Sequence, residues 1–308
     1  MIHLPHLRIA SRKTFGMIGI LASASLALAA CSSPDLSEEA GTAESGSTAT
    51  SASDTTVGAR TPEQIKEDGT IYLATFADKS PFGSLIEGDT YEGYDIEYGN
   101  RIAKDLGVKV KWVPVDAAAR VEYLEAGKVD AVLANFTITD ERAEKVDFAN
   151  PYMKVSFGAV SPKDKPITDE AQLDDAKIII VKGTSQDAWI SANKPNWNVT
   201  KYEQYTEVTN ALADGRADVW ITDNTEALAY TEQNKDFLTG IPSFGEESHI
   251  AAAVQKGNKE LLDWLNNELV DLGKENFFHQ AFDKTLKPVY GSVISPDELV
   301  VEGGKIEK

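Results

Sequence analysis

From Thr70 onward the chain alternates short β-branched and apolar runs with longer runs whose apolar positions recur at helical spacing. "TIYLATF", "VKVKWVPV", "VDAVLANF", "SFGAVSP", "AKIIIVKG", "ADVWITDN" and "HIAAAVQK" read as strands. Between them, "YDIEYGNRIAKDLG" carries Ile96, Ile102, Ala103 and Leu106 on one helical face and stops at Gly107. "NKELLDWLNNELVDLG" repeats that pattern and ends at Gly273. Strands alternating with helices predict α/β layers with mostly parallel sheets.

One pattern occurs twice. "YLEAGKVDAVLAN" and "ALADGRADVWITDN" each read as a helix end, Gly-basic-x-Asp and a strand. Gly127 matches Gly215, Asp130 matches Asp218, and Asn135 matches Asp223, so the repeat predicts two similarly built α/β lobes. Ligands of open α/β sheets bind beyond the carboxyl ends of the strands. Asn135 and Asp223 fall there, and facing lobes would bring both to one crevice.

The first sixty residues follow other rules. Arg8, Arg12 and Lys13 precede the uncharged run "FGMIGILASASLALAA", a secretory signal pattern over residues 1–30 that is too short for a comfortable membrane span. "LAAC" resembles a bacterial lipobox, which implies cleavage before Cys31 and acylation of its thiol. Residues 31–60 are rich in Ser, Thr, Ala, Gly and acids and contain no aromatic residue, the composition of a disordered tether. Its random-coil reach is about 30 Å. Cys31 is the only cysteine, and only two histidines follow it, so neither disulfides, thiolate chemistry nor a metal centre is expected. Losing the signal removes three basic residues and no acids, which leaves a net charge near −22. That charge excludes nucleic acid as a partner and leaves membrane attachment to the lipid.

The candidate chemistry clusters after three strands. "ANFTITDER" follows one with Thr137, Thr139 and Arg142. "KGTSQDAW" follows another with Gly183, Thr184 and Ser185 at a helix start, where free N–H groups meet anions, although an ordinary hydroxyl N-cap reads the same way. Arg142 can pair bidentately with a carboxylate. Asp223, after the third, would be costly to bury without a cation. A ligand carrying both a carboxylate and an ammonium satisfies both groups, and an α-amino acid is such a ligand. No Gly-x-Gly-x-x-Gly or Walker pattern occurs, so no nucleotide or other cofactor is expected.

These stretches resemble the extracellular solute-binding proteins of polar amino-acid ABC transporters, family 3, in matching order over about residues 62–291. "DKSPFG", "AARVEYLEAGKVDAVLANFT", "RAEKVDFANPYMKV", "ENFFHQAFDKTLKPVYG" and "EGGK" are similar to the cysteine-binding branch. The resemblance implies a two-lobed, type II periplasmic-binding-protein fold. Lobe 1 would comprise residues 61–161 plus 250–291, lobe 2 residues 162–249, and residues 292–308 a C-terminal extension. Hinges would lie near Val160–Pro162 and Ile250–Val254. It implies that Arg142, Thr137 and the Thr184/Ser185 backbone hold the α-carboxylate, and that Asp223 and the Asn135 main chain hold the α-ammonium. It also implies a monomer that delivers its ligand to a membrane permease served by an ATPase.

Specificity turns on Lys79, which stands where many members of the family have an aromatic residue, and on Arg120. Together they suit an acidic side chain such as that of aspartate or glutamate, whereas the resemblance favours cysteine. A cysteine ligand would require a protein acid, Glu122, Asp116 or another, to neutralise Arg120. Phe82 and Phe136 are candidate apolar walls. The rival class is an enzyme of the same fold, a cyclohexadienyl dehydratase, with Lys79 recruited as general acid. The chain lacks a catalytic His or Cys motif, so a carrier is the expectation.

Overall fold

The computed structural model describes residues 57–306. The expected signal segment, Cys31 and the tether up to residue 56 lie outside the described residues. Among the described residues no helix is long and apolar enough to cross a membrane.

Eleven strands are described: β1 (Thr70–Thr75), β2 (Asp78–Lys79), β3 (Gly83–Glu87), β4 (Thr90–Glu92), β5 (Lys109–Pro114), β6 (Ala131–Val132), β7 (Val146–Pro162), β8 (Lys177–Val181), β9 (Asn198–Tyr202), β10 (Val219–Asp223) and β11 (Phe237–Gln255). Eight form one sheet in the order β5-β1-β6-β11-β7-β10-β8-β9, and β2-β3-β4 form a small antiparallel sheet beside it. β5, β1 and β6 are mutually parallel, as are β9, β8 and β10. In each trio the first strand lies between the second and the third, so the repeat seen in the sequence is also a repeat of topology. The antiparallel pair β7 and β11 lies between the trios and belongs to both. This is a two-lobed α/β fold.

The twice-used motif has the same structural role in both lobes. Gly127 and Gly215 end helices with φ 62° and 69°, a conformation that glycine adopts without strain. Three residues on, Asp130 accepts the Tyr72 N–H of β1 at 2.8 Å, and Asp218 accepts the Lys177 N–H of β8 at 2.9 Å. Each aspartate therefore ties the incoming third strand to the first.

The pairing of β7 and β11 marks where the chain passes from one trio to the other. Of the expected hinges, Val160 lies inside regular pairing opposite Trp220, whereas Ile250–Val254 pairs with β6 through Ala253 and Val254 but carries two register shifts against β7. The β7/β11 register slips most between Phe244/Phe157 and Ser248/Val155, and β10 begins to pair with β7 at Phe157. Residues 157–160, expected in lobe 1, thus pair with β10 of the second trio. Each crossing strand therefore runs through both half-sheets.

Both ends of the described chain are bound to lobe 1. Residues 57–60, expected in the tether, are held instead: Val57 and Gly58 donate to Gly127 O, and the Arg60 guanidinium neutralises buried Asp130. At the other end Val300 bridges Met153, Val301 N–H donates to Tyr152 O, and Glu302 accepts from the N–H groups of Phe278 and His279. Leu299, Val300 and Val301 are buried.

Candidate functional site

The carboxyl ends of β1, β6, β8 and β10 converge where the lobes meet, and the chain leaves each through a chemically distinctive residue. Beyond β6, Asn135 turns with φ 44°, a left-handed conformation that asparagine tolerates. The turn is fixed from behind: Asn135 N–H donates at 2.7 Å to Asp95, whose other oxygen accepts the Tyr152 hydroxyl at 2.6 Å. Burial pushes the Asp95 carboxyl up to about 6, against these hydrogen bonds. The Asn135 side-chain amide is buried with no hydrogen-bond partner among the described residues.

Phe136 follows, with a guanidinium over its ring from each of two arginines: Arg120 Cζ is 4.4 Å and Arg142 Cζ 4.8 Å from the ring centroid. Both cations are buried, Arg120 2% and Arg142 9% exposed. Their hydrogen bonds go to carbonyls. Arg120 donates to Ala117 O (3.0 Å), Ala134 O (2.9 Å) and Asn135 O (3.3 Å), and Arg142 to Thr137 O (2.7 Å). Both also reach across to Gly183 O in lobe 2, at 3.2 and 3.0 Å. Burial lowers Arg120 to about 10 and, with Arg120's like charge added, lowers Arg142 to about 9. Glu122 pairs with Lys128, and neither Glu122 nor Asp116 bonds to Arg120. The expectation of either as its neutralising acid fails because carbonyls and Phe136 already surround that guanidinium.

Gly183 lets the lobes approach this closely. Its φ is 74°, and a Cβ there would lie 2.4 Å from Ala118 Cα. The Thr184 hydroxyl donates to Val181 O at 2.7 Å and accepts the Asp187 N–H at 3.3 Å, as an N-cap does. The start of the helix Ser185–Asn193 thereby faces Arg142. Phe136, Arg142, Gly183, Thr184 and Ser185 line one interlobe cleft of about 480 Å³.

Lys79, Asp223 and Asn135 are not on that lining. Lys79, on β2 and 1% exposed, reaches across to lobe 2. Its Nζ lies 2.9 Å from each of Asp223 Oδ2, Glu226 Oε2 and the Tyr205 hydroxyl, and 5.7 Å from the rings of Phe76 and Phe82. Burial opposes the charge, yet Asp223 and Glu226 hold the ammonium well above its ordinary range. The other Asp223 oxygen accepts from Gln186 Nε2 at 2.7 Å. Phe76 joins the two groups of charges, since Arg120 Cζ lies 5.3 Å from its ring. The array thus runs Asp223, Lys79, Phe76, Arg120, Phe136, Arg142. Among the described residues no cluster of metal-ligating side chains occurs.

The sequence reading missed Phe76, Tyr205, Gln186, Glu226 and Asp95. Glu226 had a signal, because a helix starting after Asp223 places it within the first turn of the same helix end. The others are set by tertiary packing and leave no local trace.

The sequence model of the bacterial extracellular solute-binding proteins, family 3, matches residues 71–287. Among solved structures, a solute receptor for L-cysteine of Neisseria gonorrhoeae is 46% identical with TM-score 0.77, over 79% of this chain and 100% of that one. A cysteine-binding protein of Campylobacter jejuni is 45% identical with TM-score 0.77, over 78% and 98%. An ABC transporter glutamine-binding protein of Bacillus subtilis is 30% identical over 229 residues, 72% of this chain and 83% of that protein. With the doubled α/β trio, the two crossing strands and the interlobe charge array, these matches lead to one conclusion: the chain belongs to the bacterial extracellular solute-binding proteins, family 3.

Proposed function

We propose that the protein is the amino-acid receptor of an ABC importer, and that its ligand is cysteine. The observation carrying the amino-acid reading is the pair of buried guanidiniums around Phe136, which donate only to carbonyls, with the Asp223 carboxylate at the other end of the same charge array. An α-carboxylate suits the arginines and the helix start at Ser185, while an α-ammonium suits Asp223 and Asn135. The cysteine receptors of two other bacteria, at 45% and 46% identity, support the choice of side chain. So does Lys79, which Asp223 and Glu226 engage and which is therefore not at hand for a ligand carboxylate. Aspartate or glutamate is the second reading, favoured by Arg120 having only carbonyl partners.

Capture works by lobe closure about β7 and β11, with the exchange at Val155–Phe157 and Phe244–Ser248. Ligand shifts that equilibrium through its greater affinity for the closed arrangement. The closed receptor docks on a permease, and hydrolysis of ATP occurs elsewhere in the complex. The chain acts as a monomer held to the membrane by acylated Cys31. A dehydratase role is disfavoured because Lys79, kept charged by two carboxylates, would not release a proton near neutral pH.

Calorimetry on the refolded, ligand-free chain tests this with cysteine under reductant, cystine, aspartate, glutamate and glutamine. Tight binding of cysteine alone is expected, and Arg142→Ala should abolish it while leaving the far-UV spectrum unchanged. Binding only of aspartate or glutamate would replace cysteine as the ligand. Retained micromolar affinity in Arg142→Ala would remove that arginine from the site.

A further inference from the structure

Where the lobes meet, one ammonium is shared by two carboxylates. Lys79 Nζ lies 2.9 Å from Asp223 Oδ2 and 2.9 Å from Glu226 Oε2, and both acids belong to the lobe opposite Lys79. Nothing in the expected ligand chemistry calls for Glu226, yet it is 5% exposed and its Oε2 also accepts the Thr222 hydroxyl at 2.9 Å. A buried acid held by Lys79 and Thr222 through the same oxygen calls for an explanation in charge. Lys79 already stands at the carboxylate that an α-ammonium would need. If Asp223 alone faced Lys79, the pair would be neutral, and the ligand ammonium proposed for Asp223 would meet a partner already satisfied. Glu226 changes that balance to two negative charges against one positive.

We propose that Glu226 is a specificity-determining residue: it takes over Lys79 when a ligand ammonium binds Asp223, so that two carboxylates match two ammoniums and binding expels a proton. This inference rests on the amino-acid reading of the site. Glu226 faces Lys79 from β2, Asp223 and Thr222 from β10, Tyr205 from the helix Tyr205–Ala213, and Tyr290 from the C-terminal helices. Burial raises both tyrosines, so they stay neutral in the working range. With one cation between two acids, burial pushes the Glu226 carboxyl up to about 7, against the attraction of Lys79. A second cation favours its ionised form, and the proton leaves to solvent. The sign follows from linkage: the ligand-bound state has the lower carboxyl pKa, so affinity rises with pH up to about 7. The arrangement also selects ligands by charge, since one ammonium completes the match and a second cation has no acid left.

The test is calorimetry of the full chain with whichever of L-cysteine, L-aspartate and L-glutamate binds, repeated in buffers of different ionisation heat. Wild type should release roughly half a proton per ligand at pH 7. Glu226→Gln should lose that release and bind at least about tenfold more weakly, because Lys79 then holds Asp223 alone. The double variant Lys79→Met/Glu226→Gln again offers one net negative charge and should bind within about threefold of wild type. That rescue also excludes misfolding as the cause of the single variant's loss. Unchanged affinity and proton release in Glu226→Gln, or no rescue in the double variant, would overturn the proposal. Failure of wild type to bind any of these three, or cystine or glutamine, would overturn the amino-acid reading itself.

Discussion

Phe136 shows how a single apolar side chain can organise charge. Two guanidiniums that would repel each other in a low-dielectric site each lie over its ring and share the carbonyl of Gly183. Each cation–π contact is worth about 1–2 kcal/mol when desolvated, enough to offset part of the burial cost but not all of it. Asp95 performs a comparable task from behind, fixing the Asn135 turn. Its carboxyl is raised from 3.8 to about 6, so the folded state holds that proton more tightly than the unfolded chain. Its contribution is therefore most favourable at low pH and is lost as pH rises through 6, by up to about 3 kcal/mol. The stability of wild type relative to Asp95→Asn, from urea unfolding, should fall between about pH 4 and about 6 and level off above. A pH-independent difference would mean that Asp95 titrates as it does in the unfolded chain.

Among elements, the clearest lesson is the doubled tie between third and first strands. Asp130 and Asp218 make the same backbone hydrogen bond, but their surroundings differ. Asp130 also neutralises buried Arg60, whereas Asp218 is partly exposed. Asp130→Ala should cost about 3 kcal/mol by leaving Arg60 without its buried partner. Asp218→Ala should cost about 1 kcal/mol, the worth of an ordinary hydrogen bond. Urea midpoints of the two variants test the ranking, and equal costs would mean that Arg60 contributes little. The repeat was legible in the sequence because Gly-basic-x-Asp is a local motif with a local function. The strand runs and the helices ending near Gly107 and Gly273 were legible for the same reason. The half-sheet of residues 157–160 was not, because they read as one strand whichever half-sheet they join, and only pairing with β10 decides. Lys79 was legible as unusual, but its partners Glu226 and Tyr205 come from the other lobe, where no spacing along the chain points to them.

Across the whole molecule, the segment after Gly291 is a structural part of lobe 1. Truncation there removes buried Leu299, Val300 and Val301 together with the contacts Glu302 makes to the helix start at Phe277. A loss of about 3 kcal/mol or more is expected from the apolar burial alone. Thermal unfolding of the chain ending at Gly291 checks this, and an unchanged midpoint would make the segment dispensable. Lobe 2 is built differently. It enters and leaves the molecule through neighbouring residues of two paired strands, while both described ends of the chain are fastened to lobe 1. It is thus an insertion with closely spaced stems, joined to its host like a cassette. Under the proposed lobe closure, a fluorescent domain attached beside either described end would ride on lobe 1 and report little. One placed within residues 163–236 would move with the other half, which makes that stretch the natural location for an optical sensor of the ligand.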